Sequence, residues 1–145
     1  HSWCVLLPSR SRKQMRRRNR RRNPTHYLLI MITVYHNPRC RKSREALAHL
    51  DEKGARYNVR LYMNDEESMT ATELEEVLDA LDMDALELVR TNEALWKEEY
   101  KHLELDEEEI ILAMIEHPRL MERPIIVKGS KAVVARPADA MDAIL

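Results

Sequence analysis

"MITVYHNPRCRKSREALAHLDEKGARYNVRLYM", residues 31–63, decides the fold. Its first six residues, "MITVYH", are apolar and suited to a buried strand. Asn37-Pro38 breaks that strand, because proline lacks a ladder donor and restricts the residue before it. Ala46, Leu47 and Leu50 then share one helical face, and Gly54 stands where a helix C-cap is expected. "ARYNVRLYM" (55–63) reads as a second strand. Strand, break, helix and strand make a parallel β-α-β unit.

The rest of the chain is read outward from this unit. "TATELEEVLDAL" (70–81) opens with the capping-box pair Thr70 and Glu73 and carries Leu74, Val77, Leu78 and Leu81 at helical spacing. "DALELVR" (84–90) reads as a short helix. "DEEEIILAMIEHP" (106–118) reads as another, starting at Asp106 and Glu109, with Ile110, Ile111, Met114 and Ile115 as its buried face. "PIIVKGSKAVVARP" (124–137) is two strands around a Gly-Ser turn. "PADAMDAIL" (137–145) closes as a helix with Pro137 near its first turn. The order β-α-β, helical insertion, β-β-α predicts a single α/β domain of thioredoxin-like fold over 31–145.

Composition places a boundary at residue 30. Residues 1–30 hold nine of the 24 Lys and Arg and none of the 25 Asp and Glu, so the remainder is strongly acidic. "RSRKQMRRRNRRRNP" (10–24) has neither helical nor strand period and is expected to be a disordered basic extension. It reads as translated leader upstream of a true start at Met31, with a nucleic-acid-binding tail and an Arg-rich transit peptide as the alternatives. No apolar run is long enough for a membrane helix, and nothing in the domain asks for nucleic acid.

The two cysteines, Cys4 and Cys40, fall on opposite sides of the boundary, which argues against a disulfide framework and for a reducing, cytoplasmic setting. Cys40 is predicted at the N-terminus of the first helix, where unpaired backbone N–H groups favour an anion. Arg39, Arg41, Lys42 and Arg44 surround it in sequence, and His36 precedes it by four residues. That setting predicts a thiolate nucleophile, with His36 as a hydrogen-bond donor to it. Ser43, one helical turn on, is expected to hydrogen-bond the sulfur and stands where a dithiol enzyme would carry its second cysteine. An adduct on Cys40 therefore needs an external thiol to remove it. His49, His102 and His117 have no ligand spacing and are read as surface or structural, so no metal is expected.

His36-x-x-x-Cys40-x-x-x-Arg44 resembles the ArsC family of glutaredoxin-coupled arsenate reductases. "LVRTN" (88–92), "MERPIIV" (121–127) and "VARP" (134–137) look like the segments in which that family carries its anion-binding arginines, and they map onto Arg90, Arg123 and Arg136. The "HNPRC-x-KSRE" wording and short C-terminus are similar to the YfgD-like branch, and the likeness covers 31–145. It implies reduction of arsenate to arsenite through a Cys40 adduct, with glutathione as co-substrate, glutaredoxin as partner and no bound cofactor. It also implies a cis Arg123-Pro124 bond facing the cysteine, with Arg44 and Pro124 supporting the thiolate and the anion. Arginine suits a tetrahedral oxyanion because its planar guanidinium offers paired donors and stays charged. Well-studied members have small residues after the cysteine, whereas Arg41 and Lys42 follow here, a departure that bears on site size and anion choice. Two other readings stand beside this one: another monothiol glutathione-linked oxidoreductase, and a non-enzymatic Spx-like regulator. The Spx switch is a C-x-x-C that Ser43 interrupts.

Overall fold

A computed structural model describes residues 31–145 together with Ser11. The expected basic extension over 1–30, with Cys4, therefore lies outside the described residues apart from Ser11. Among the described residues four strands form one sheet: β1 (Ile32–Tyr35), β2 (Tyr57–Arg60), β3 (Ile125–Lys128) and β4 (Lys131–Val134), in the order β2-β1-β3-β4. β1 pairs parallel with β2, and β3 runs antiparallel to both β1 and β4. The connection between the parallel strands is α1 (Arg41–Glu52). Between β2 and β3 lie α2 (Ala71–Leu81), α3 (Ala85–Leu88), α4 (Ala94–Glu99) and α5 (Glu107–Glu116). The predicted β-α-β, insertion, β-β order is the observed one, with a 3-10 turn where the closing helix was expected.

Period-2 alternation splits the core into two layers. Ile32, Val34 and Ile126 face α1 and the C-terminal turn, packing with Ala46, Leu50 and Met141. Tyr35 and Ile125 point to the other face, where Leu74, Val77, Leu78, Ile111 and Met114 of the insertion cover the sheet. Burial of this apolar surface at roughly 25 cal/mol per Å² is what holds helices on both faces.

The ends of the elements follow from local chemistry, in part as expected and in part not. Gly54 adopts a φ of 67°, as a left-handed C-cap requires. Half of the capping box at Thr70 forms, the Glu73 N–H donating to Thr70 Oγ1 at 3.1 Å. The Glu73 carboxylate instead takes Arg60 Nη2 at 3.1 Å and the Tyr35 hydroxyl at 3.4 Å. On α5 Ala113 is buried with Ile110, Ile111 and Met114, while Ile115 is half-buried against the same core. The closing segment is a 3-10 turn, Ala138–Ala143, rather than an α-helix. The α4 helix was not anticipated; "ALWKEE" buries Trp96 and stacks it on Tyr100 at 5.4 Å.

Candidate active site

The strand-to-helix loop is built by Asn37 and Pro38. Cys40 N–H donates to Asn37 O at 2.9 Å, and Arg39 N–H donates to Asn37 Oδ1 at 3.1 Å. This is the self-bonding that suits asparagine to tight turns. The turn sets Cys40 at the N-cap of α1 in an extended conformation (φ −92°, ψ 121°), its carbonyl accepting from Arg44 N–H at 3.1 Å. The half-buried sulfur thus sits over the first turn, where backbone N–H groups lack helical partners.

The electrostatics of the thiol differ from the sequence expectation in one respect. Burial is the largest single influence on Cys40 and pushes its pKa up. The backbone N–H groups of Ser43 and Lys42 and the guanidinium of Arg123 together outweigh that, and the thiol lies below its ordinary value. The neighbouring cations point elsewhere. Arg41 Nε pairs with Glu45 Oε1 at 3.1 Å and Lys42 Nζ with Glu45 Oε2 at 3.5 Å, both along the exposed helix side. Arg44 Nη1 donates to Pro38 O at 2.8 Å and closes the loop. An arginine 83 positions away in sequence, rather than the adjacent cluster, supplies the cationic side chain at the sulfur.

His36 and Ser43 also take different partners from those expected. Both are buried, and the Ser43 hydroxyl lies 2.9 Å from His36 Nδ1 while accepting from Asn37 N–H at 3.0 Å. The hydroxyl therefore ties the loop together, and it is the serine's backbone N–H that faces the sulfur. Burial first, and then the Arg44 charge, hold the imidazole below its ordinary pKa, so it is neutral at pH 7.

The segments that carry the other arginines are brought close because two loops are stapled together. Val89 and Met121 form an antiparallel bridge, Arg90 N–H donates to Leu120 O at 2.7 Å, and Glu122 N–H donates to Leu88 O at 2.8 Å. Arg90 and Arg136 line one cavity of about 540 Å³, with Asn92, Glu93 and Glu122 on its wall. Arg123 lies at the neighbouring thiol, and the Arg123-Pro124 bond is cis, as is Arg136-Pro137. Pro124 is buried, and its carbonyl accepts from Ala135 N–H at 2.9 Å, which ties the Arg123 and Arg136 segments together.

The sequence reading missed three residues here. Glu93 Oε1 lies 2.8 Å from Arg90 Nη1 in an ion contact without hydrogen-bond alignment, and Glu122 Oε2 lies 3.8 Å from Arg136 Nη1. Their adjacency to the arginine motifs was the available signal. Tyr62 is the third. Its hydroxyl is buried beside Arg123, and the charges of Arg90 and Cys40 also act on it. A tyrosine just beyond a strand gives no signal in sequence. Among the described residues Arg123 Nε and Nη1 are buried with no hydrogen-bond partner, and no group of three acidic, His or Cys side chains is placed to hold a metal. Nor is any helix among them long and apolar enough to cross a membrane.

A model of the ArsC family matches residues 35–144. The chain belongs to the ArsC family. Among its relatives, YfgD of Escherichia coli K12 is 44% identical over 110 residues, covering 74% of this chain and 91% of that protein. A Haemophilus influenzae protein named arsenate reductase is 37% identical over 118 residues, covering 80% of this chain and all of that one. Among solved structures, an arsenate reductase from Vibrio cholerae is 36% identical, with a TM-score of 0.75 over 80% of this chain and 98% of its own. The ArsC domain here accordingly has the thioredoxin-like fold of those structures.

Proposed function

We propose that this ArsC-family protein is an enzyme that reduces arsenate to arsenite, with glutathione as co-substrate and glutaredoxin as the partner that restores Cys40. The observation that carries the reading is a thiol of lowered pKa beside buried guanidinium nitrogens of Arg123 that no protein group satisfies. Buried polar groups in folded proteins are nearly always paired, and charged donors left over at a nucleophile suit an anionic ligand.

In the proposed cycle the Cys40 thiolate attacks As(V), forming an S–As bond as one arsenate oxygen leaves as water. Arg123 on the sulfur side, with Arg90 and Arg136 from the adjoining cavity, offsets repulsion between two negative groups and stabilises the charge that builds on oxygen. Glutathione thiolate then attacks the Cys40 sulfur. The S–As electron pair passes to arsenic, which leaves as As(III) in arsenite. One thiol from Cys40 and one from glutathione are thereby oxidised to a mixed disulfide. A glutaredoxin thiol attacks the glutathione sulfur and releases Cys40. His36 and Ser43 shape the loop and leave the backbone N–H groups aimed at the sulfur.

The test is arsenate-dependent NADPH oxidation in the presence of glutathione, glutaredoxin and glutathione reductase, with Cys40→Ser alongside. Turnover that vanishes with the substitution supports the reading. A folded protein with a titrating low-pKa thiol and no arsenate turnover sinks it in favour of glutathione mixed-disulfide chemistry.

A further inference from the structure

Tyr62 is 1% exposed, and its hydroxyl lies within reach of the Arg123 guanidinium but makes no aligned hydrogen bond to any described residue. The ring has a packing role, meeting Tyr35 edge-on at 6.2 Å and 68°. Phenylalanine would fill that role equally well without burying an unsatisfied hydroxyl, so packing does not account for the oxygen. The surroundings of the hydroxyl do. Arg123 lies beside it, and the charges of Arg90 and Cys40 reach it. It therefore lies within electrostatic reach of both the sulfur and the arginines Arg123 and Arg90.

The backbone fixes it there. Tyr62 follows β2 by two residues, and the segment beyond is clamped by Arg60, whose guanidinium donates to Glu67 O at 2.7 Å and Ser68 O at 3.0 Å. Burial, and next the opposing influence of Arg123, set the phenol's acidity. The outcome is a pKa pushed up to about 12, so at neutral pH the hydroxyl keeps its proton. A protonated phenol enclosed with a thiolate and guanidinium groups can donate one hydrogen bond to an oxyanion without adding charge.

We infer that the Tyr62 hydroxyl is a further donor to the bound oxyanion, contacting an oxygen that lies between Cys40 and the arginines. The inference rests on the oxyanion-reductase reading above and extends it by one ligand. A neutral donor complements the guanidinium groups. It can follow an oxygen as its charge changes between arsenate and the adduct, with no cation to neutralise after arsenite leaves.

Binding can be separated from turnover in Cys40→Ser, which cannot reduce arsenate. Arsenate is titrated calorimetrically into Cys40→Ser, Cys40→Ser/Tyr62→Phe and Cys40→Ser/Arg123→Met. The expected result is a Kd raised roughly tenfold by Tyr62→Phe, equal to about 1.4 kcal/mol. The thermal midpoint should change little, since the hydroxyl's contact with Arg123 is not an aligned hydrogen bond. In the Cys40 background the single Tyr62→Phe variant should raise KM while leaving the pH profile of Cys40 alkylation in place. A Kd within twofold of the parent overturns the inference. So does a clear loss of thermal stability, which would give the hydroxyl a structural partner. If Arg123→Met weakens arsenate while Tyr62→Phe does not, this inference falls and the functional reading stands. If Cys40→Ser binds no arsenate at all, both fall.

Discussion

Replacing Ser43 by alanine tests what the loop around Cys40 depends on. The Ser43 side chain has no exposed surface, and its oxygen bridges Asn37 N–H at 3.0 Å and His36 Nδ1 at 2.9 Å. Alanine removes one oxygen and leaves too small a space for a well-bonded water. Asn37 N–H and His36 Nδ1, on two buried residues, then lose their partner. An unsatisfied buried polar group costs roughly 1–3 kcal/mol, so the pair should lower stability by about 2–4 kcal/mol. With a urea slope of about 1.5 kcal/mol per M, the unfolding midpoint should fall by roughly 1.3–2.7 M. The thiol should respond far less. Among the groups that lower its pKa is the Ser43 backbone N–H, which alanine keeps. Iodoacetamide alkylation followed against pH should therefore give a Cys40 midpoint close to that of the parent. A variant of parental stability would refute the bridging argument. A midpoint climbing to the ordinary thiol range would show that the hydroxyl acts on the sulfur itself.

Further outcomes follow from the same geometry. Arg123→Gln removes a guanidinium that opposes the upward push of burial on Cys40. Its alkylation midpoint should rise, and the rate at pH 7 should fall because less thiolate is present; an unmoved profile would place Arg123 away from the sulfur. Glu122→Gln deletes the carboxylate 3.8 Å from Arg136, on a pair that is more than a third exposed. Arsenate binding to the Cys40→Ser protein should tighten about two- to fivefold at low salt, and weaker binding would refute the idea that Glu122 competes with the anion. Thr70→Ala removes the acceptor for Glu73 N–H at the start of α2 and should cost about 1 kcal/mol in urea unfolding, with alkylation of Cys40 unaffected.

Legibility in the sequence followed the range of the interactions involved. The β-α-β unit was readable because each signal is local: an apolar strand, an Asn-Pro break, a helical face from Ala46 to Leu50 and a glycine that takes positive φ. The position of Cys40 at a helix start followed from the same stretch. The destinations of side chains were not readable in this way. Nothing in "RCRKSRE" says that Glu45 will hold both Arg41 and Lys42, or that Arg44 will turn back to Pro38. Helix α4 was missed because "ALWKEE" is six residues long, too short to display a period. Tyr62 was missed because the groups that surround its hydroxyl, Arg123, Arg90 and Cys40, arrive from three other segments.

The two halves of the site are therefore assembled by different means. The sulfur half is made by residues 36–44, where one turn and one buried serine aim backbone N–H groups at a single atom. Exposed cations on that stretch are weakened by water and salt within about 10 Å, so their number matters little to the thiol. The arginine half requires tertiary structure. The Val89–Met121 bridge draws Arg90 to the Arg123 loop, and the hydrogen bond from Ala135 to Pro124 draws in Arg136. One half-buried arginine at the sulfur then does what four neighbouring basic residues do not. Met121 is fully buried, so Met121→Ala leaves a cavity beneath this backbone bridge and should loosen oxyanion binding while leaving the helix N-terminus intact. Arsenate affinity in the Cys40→Ser background should thus fall more than the backbone contribution to Cys40 acidity changes. If both moved together, the two halves would be one cooperative unit, and the division argued here would be wrong.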